Sequence, residues 1–186
     1  MKPGPDAELE HEVFEGESFR GADLSGVRTR GCTFSACDFT LARLNGSEHE
    51  GSDFSASVFE GANLFGARFA ECRLAGASFA GAILTGLTVE AGDWSYVSLR
   101  GQDLAGLDLH RIRFREADLS EADLSDADLR GADLARALLH NTTLAGADLR
   151  EATLDGVDLA AARVAGARLD LAGAVQLSRA LGVEVD

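Results

Sequence analysis

A large apolar residue recurs at every fifth position from Phe14 to Leu169, and neither common secondary structure has that period. The series holds for 32 positions without an insertion, and all but Thr29, His49, Val89, Trp94 and Val164 are Leu or Phe. On an α-helix, five residues advance by about 500°, so successive anchors would smear around the axis. On a flat strand, five residues reverse the face. For every anchor to point inward, the chain must turn once per pentad, giving a coil with one short extended side per five residues. The flanking positions agree. Two residues before the anchor the chain is small, as at Ala62, Ala117 and Ala122, and two after it is often glycine, as at Gly26, Gly61 and Gly101.

The number of sides is also written in the sequence. The anchors run Phe-Phe-Leu-Thr, then Phe-Phe-Leu-His, then Phe-Phe-Leu-Phe, a superperiod of twenty residues. A four-sided coil stacks Phe14, Phe34 and Phe54 in one interior column and Phe19, Phe39, Phe59 and Phe79 in the next, where ring stacking is favourable. Leu104 and Leu124 fall in a leucine column. These anchors are the expected core. Two segments follow: a repeat over 1–170, and a helix and tail over 171–186 where the five-residue register stops. In the tail, Leu171, Ala174, Val175, Ser178 and Leu181 stand at helical spacing, with Gly182 as a C-cap. A helix this short must bury its face on the last coil or on a second copy.

The chain carries 31 acids against 17 bases, a net charge of −14. Binding nucleic acid or an anionic membrane through phosphate neutralisation needs the opposite sign. An acidic surface suits basic protein partners. The polar start, MKPGPDAELEHE, contains no signal peptide, and no apolar run is long enough to span a membrane, so a cytoplasmic protein is expected. Cys32, Cys37 and Cys72 fit a reducing compartment as free thiols.

No phosphate loop, metalloprotease motif or nucleophile elbow is present. The regular positions commit each side chain to a filled core or a convex surface. No enzyme activity, cofactor, metal or small-molecule substrate is expected. His49, the one histidine at an anchor, reads as a buried neutral imidazole with a partner. Around Trp94 and Tyr96, the residues Leu87, Val97, Leu107 and Ile112 replace the usual alanine, so a wider or bulged middle coil is expected.

The units A-D-L-S-x and A-D-L-R-G, as in ADLSEADLSDADLRGADL at 117–134, resemble the pentapeptide-repeat family. The resemblance implies an all-β fold, a right-handed quadrilateral parallel β-helix of about eight coils with a short C-terminal α-helix. The uninterrupted register, His49 in S-x-H-x-G and the A-V-x-x tail at 174–177 resemble the family's mycobacterial fluoroquinolone-resistance branch. That branch mimics DNA and binds DNA gyrase, a type II topoisomerase, inhibiting it or shielding it from the drug. The resemblance implies a homodimer through the helix over 171–181. It makes the carboxylates of Asp103, Asp108, Asp118, Asp123, Asp126, Asp128, Asp133 and Asp148 candidate phosphate mimics. The single register leaves no room for the projecting loops of the family's plasmid-borne members. Two other roles fit the same surface: self-immunity against a gyrase-poisoning natural product, and a scaffold for an unrelated protein.

Overall fold

Each pentad bends once, and most turns close within the backbone. Among the described residues no such bond forms after Thr29, Phe34, His49, Phe69 and Val89, and the Cys32 and Cys37 N–H groups donate instead to Ser52 and Ser57 Oγ. The residue two beyond the anchor takes a left-handed φ, as at Gly21 (+65°), Leu41 (+58°) and Glu121 (+62°). Glycine recurs there because it lacks the Cβ that makes this region costly. The closing bond is donated by the N–H three residues after the anchor, as from Ala22 to the Phe19 carbonyl (2.9 Å) and from Ala122 to that of Leu119 (3.1 Å). A computed structural model describes residues 3–184 of the chain; 1–2 and 185–186, the outer ends of the two expected segments, lie outside the described residues.

On one side of the coil, β1 (Glu8–Glu10), β2 (Arg28–Arg30), β3 (Glu48–Glu50), β4 (Arg68–Ala70) and β5 (Thr88–Glu90) form one parallel sheet in chain order. Each residue pairs with the one twenty positions on, as in Leu9↔Thr29 and Thr29↔His49. Isolated parallel bridges hold the same offset on the other sides, from Val13↔Thr33 to Asp148↔Arg168. The fold is a four-sided parallel β-solenoid. At about 4.8 Å per coil, eight coils make a rod of about 38 Å.

The interior follows the expected columns. Phe14, Phe34 and Phe54 stack with ring centroids 5.0 and 4.9 Å apart, and Phe19, Phe39, Phe59 and Phe79 at 5.0, 4.9 and 4.8 Å. Phe34, Phe54, Leu104 and Leu124 are buried, while Phe14, at the open end of the rod, is partly covered. The three cysteines are free and buried, and burial pushes the Cys72 thiol up to about 11. The middle coil is wider, as expected: Leu87, Val97 and Ile112 are buried in positions that alanine fills elsewhere, and Trp94 stacks on Phe79 at 5.7 Å.

His49 stands at an anchor position between Thr29 and Phe69 and brings a polar network with it. Its Nδ1 lies 2.9 Å from Thr29 Oγ1 and its Nε2 3.0 Å from Ser47 Oγ, while Thr29 also meets Ser52 Oγ at 3.0 Å. The ring stacks on Phe69 at 4.7 Å. Full burial drives the imidazole down to about 3, so it is neutral, and the two hydroxyls satisfy one donor and one acceptor.

The solenoid ends in a 3₁₀ turn at Leu159–Ala161 and α1 at Leu171–Ala180. Asp170 caps α1 by accepting the Gly173 N–H (2.9 Å), and its other oxygen takes the Glu151 N–H of the coil below (2.9 Å). That shared carboxylate fixes where the helix leaves the rod.

Two outcomes follow for stability. Leu124→Ala leaves a cavity in a closed stack and costs about 3 kcal/mol, whereas Leu169→Ala, at the partly open last coil, costs less than half of that; urea unfolding of both variants measures the contrast. His49 is held below its unfolded value of 6.5, so the unfolded chain binds the proton first. Stability therefore falls as pH drops below 6.5, by up to about 1.4 kcal/mol per unit, until the folded value is reached. Unfolding midpoints between pH 7 and pH 4 check this slope, which His49→Phe flattens.

Candidate functional site

The four sides of the coil present four outward rows, and register assigns every charged residue to one of them. Asp103 and Asp123 pair in one row, and Asp108, Asp128 and Asp148 in the next. Asp126 occupies the corner these two rows share, with a left-handed φ of +57°. The structure thus gathers six of the eight expected carboxylates onto two adjacent faces in the C-terminal half. Asp133 and Asp118 fall on the other two faces, bridged to Arg113 and Ser98 respectively.

Toward the N-terminus the face carrying β1–β5 has a different electrostatic character. Arg28 lies 3.5 Å from Glu8 and 3.8 Å from Glu48, and Arg30 lies 3.2 Å from Glu10 and 3.3 Å from Glu50. Arg68 pairs with Glu90 at 2.7 Å, and on the adjacent face Arg43 pairs with Asp23 at 2.7 Å. Twenty-residue stacking places opposite charges one coil apart, so the arginines of this face are each engaged by carboxylates of neighbouring coils. Glu8 and Glu10, at the N-terminal entrance of the rod, are thereby engaged.

Within the acidic patch the carboxylates separate into two groups. Arg130 holds Asp128 at 2.5 Å, Arg150 holds Asp148 at 2.6 Å, and His110 Nδ1 lies 2.6 Å from Asp108. Asp118 and Asp133 lie 3.9 Å from Arg100 and 3.4 Å from Arg115. Asp103, Asp123 and Asp126 are exposed and meet no cation among the described residues. Of the eight, these three have no charged partner, and the partner of Asp108 is charged only when His110 is protonated. The Arg150 guanidinium pulls the Asp148 carboxyl down to about 2, while the Ser125 hydroxyl and N–H lower Asp123, so both are ionised at neutral pH.

Most of these aspartates also have a local job. Asp103 accepts the Ala105 N–H at 3.1 Å, Asp108 that of His110 at 3.2 Å and Asp123 that of Ser125 at 2.9 Å. Asp118, Asp128, Asp133 and Asp148 do the same two residues on. A short acceptor before a tight turn satisfies an N–H that the turn leaves free. The repeat thus selects Asp for its geometry as well as its charge. The Asp128–Arg130 and Asp148–Arg150 pairs escaped sequence reasoning, although the D-x-R spacing is visible in A-D-L-R-G.

On α1, Leu171 is 82% exposed, Leu181 at its C-cap 64% exposed and Ala174 is exposed, while Val175 and Ser178 are half-buried. The contact with the last coil is made instead by Gly173, packed on Leu169 and Leu154, and by Leu177. No group of three His, Cys, Asp or Glu among the described residues is arranged to hold a metal, and no helix among them is long and apolar enough to cross a membrane.

Comparisons with known proteins agree with this architecture. No curated protein matches by sequence. Two trypsin-treated variant forms of QnrB1, a plasmid-mediated fluoroquinolone resistance protein, superpose on the chain. One has a TM-score of 0.81 at 26% identity, covering 100% of this chain and 95% of that one. The other has a TM-score of 0.82 at 27% identity, covering 98% and 91%. Full-length QnrB1 gives 0.64 at 22% identity, over 95% and 100%, a likeness of fold. The family described as pentapeptide repeats (8 copies) matches residues 18–61, 52–88, 95–131 and 132–170. With that match and the twenty-residue coil behind it, the chain belongs to the pentapeptide-repeat family.

Proposed function

We propose that this protein is a DNA mimic that binds DNA gyrase by occupying the enzyme's DNA-binding surface, inhibiting it, conferring fluoroquinolone resistance, or both. The observation that carries the reading is the position of Asp103, Asp123 and Asp126, three carboxylates without a charged partner on two adjoining faces of the rod. Coil stacking spaces charges in one row by about 4.8 Å, and the rod of about 38 Å compares with a duplex turn of about 34 Å. A basic saddle that accepts duplex phosphates meets a similar length and the same sign of charge. The likeness to QnrB1, itself a fluoroquinolone resistance protein, supports the same class of role.

The exposed Leu171, Ala174 and Leu181 supply the surface for a homodimer. Pairing through them covers side chains that the last coil leaves bare and doubles the length of the rod. The binding chemistry is between protein surfaces; no cofactor, small-molecule substrate or nucleic acid takes part. The place of action is the cytoplasm, where the enzyme and its chromosome are.

Light scattering is expected to give a dimer, and Leu171→Asp with Leu181→Asp a folded monomer. In a supercoiling assay with purified gyrase, run with and without a quinolone, micromolar protein is expected to inhibit the enzyme or to relieve poisoning. Asp103→Asn, Asp123→Asn and Asp126→Asn together are expected to weaken that effect by about tenfold or more. Asparagine keeps the turn-capping oxygen at 103 and 123, so thermal stability stays unchanged and the loss reports charge. Wild-type protein that neither inhibits nor protects removes gyrase as the partner. It leaves an immunity role toward another agent or a scaffold for another protein.

A further inference from the structure

The ladder that joins each coil to the next is interrupted at one place in the middle of the rod. Among the described residues, no backbone hydrogen bond links 82–91 to 102–111, and the bridges expected between Ile83 and Asp103 and between Thr88 and Asp108 are missing. On the two remaining faces the same coils stay joined, through Asp93↔Arg113 and Ser98↔Asp118. The bonds flanking the break are long: Phe79 N–H to Ser98 O is 3.0 Å against 2.7 Å for Phe59 to Ser78, and Arg113 N–H to Gly92 O is 3.4 Å. Two faces apart and two in contact describe a wedge.

The side chains explain it. Leu87 and Leu107 lie one above the other in a column that holds Ala67 and Ala127 on either side, and Gln102 enters below Ala82, its amide donating to Phe79 O at 2.9 Å. Overfilling an inward position forces the backbone to move. On the third face Gly92, with φ of +115°, has no side chain, and a Cβ there would lie 2.4 Å from the Cys72 carbonyl oxygen. The bulky Val97 and Ile112 also fill the joined faces, but Gly92 lets the chain there approach Cys72 closely. Trp94, 1% exposed at this level, carries a buried indole N–H with no partner, so the polar pairing of this coil is incomplete. A cleft of about 350 Å³ runs along the break between Gly81–Thr85 and Gly101–Asp103.

We propose that this break is a hinge: the halves of the rod swing about the two joined faces, opening and closing the wedge on the faces that carry Asp103, Asp108 and Asp123. A rod whose coils are all bonded on four sides has no soft bending mode, because any bend stretches a whole ladder. Here one bend direction stretches nothing. It alters the angle between the two acidic halves, so a partner with a curved basic surface can be followed. The hinge is a property of the free chain and stands whether or not gyrase is that partner.

Solution NMR on the intact protein tests it in one sample. The amides of Leu84, Val89, Asp103 and Asp108 are expected to exchange with deuterium about a hundredfold faster than Leu64, Asp123 and Asp128, their bonded counterparts. Residual dipolar couplings for 12–80 and 113–169 are expected to need two alignment tensors. Leu87→Ala with Leu107→Ala is expected to restore slow exchange and a single tensor. Protected amides in the wild type, or one tensor for both halves, overturns the proposal, even if the doubly substituted chain does not fold.

Discussion

Everything in this molecule is placed by the bond between a residue and its neighbour twenty positions on. It sets the coil height and stacks like anchors into columns. It also decides which charges stand beside which. Because the bond is between coils, the interior has no long-range organisation beyond the next layer, and stability grows by repetition. Phe34 is buried because Phe14 and Phe54 lie above and below it. The same rule lets one polar anchor, His49, be accommodated by substituting only its immediate shell, Thr29, Ser47 and Ser52.

The surface obeys this register too, which makes charge a property of rows. In the N-terminal half Glu8, Arg28 and Glu48 alternate along the axis, one arginine shared by two carboxylates. In the C-terminal half Asp108, Asp128 and Asp148 repeat with the same sign, and compensation comes from within each pentad, through Arg130 and Arg150. The first scheme fastens coils to one another. The second sets like charges on neighbouring coils and leaves Asp103, Asp123 and Asp126 without an arginine partner. Net charge alone hides this division.

The sequence makes the core legible because only one geometry points every fifth residue inward, and the Phe-Phe-Leu pattern fixes the number of sides. The helix is legible from spacing, but spacing does not say which of its stripes docks: Gly173 and Leu177 lie against the coil, where the regular run through Leu171 and Leu181 drew attention. The acidic surface is legible in sign. Its sorting into paired and unpaired carboxylates depends on rotamers and on two-residue contacts that composition does not resolve. Leucine at 87 and 107 announces a swollen coil. Which bonds give way depends on Gly92 thinning the opposite side, a three-dimensional balance no local pattern contains.

The left-handed corners have a consequence for how such a protein changes over generations. Leu41, Tyr96, Glu121 and Asp126 all adopt the same backbone conformation with very different side chains. A corner side chain projects outward and takes no part in filling the interior. Selection can therefore rewrite the corners almost letter by letter while the interior is left intact. A lineage of these rods can acquire new targets without first having to survive a loss of foldedness.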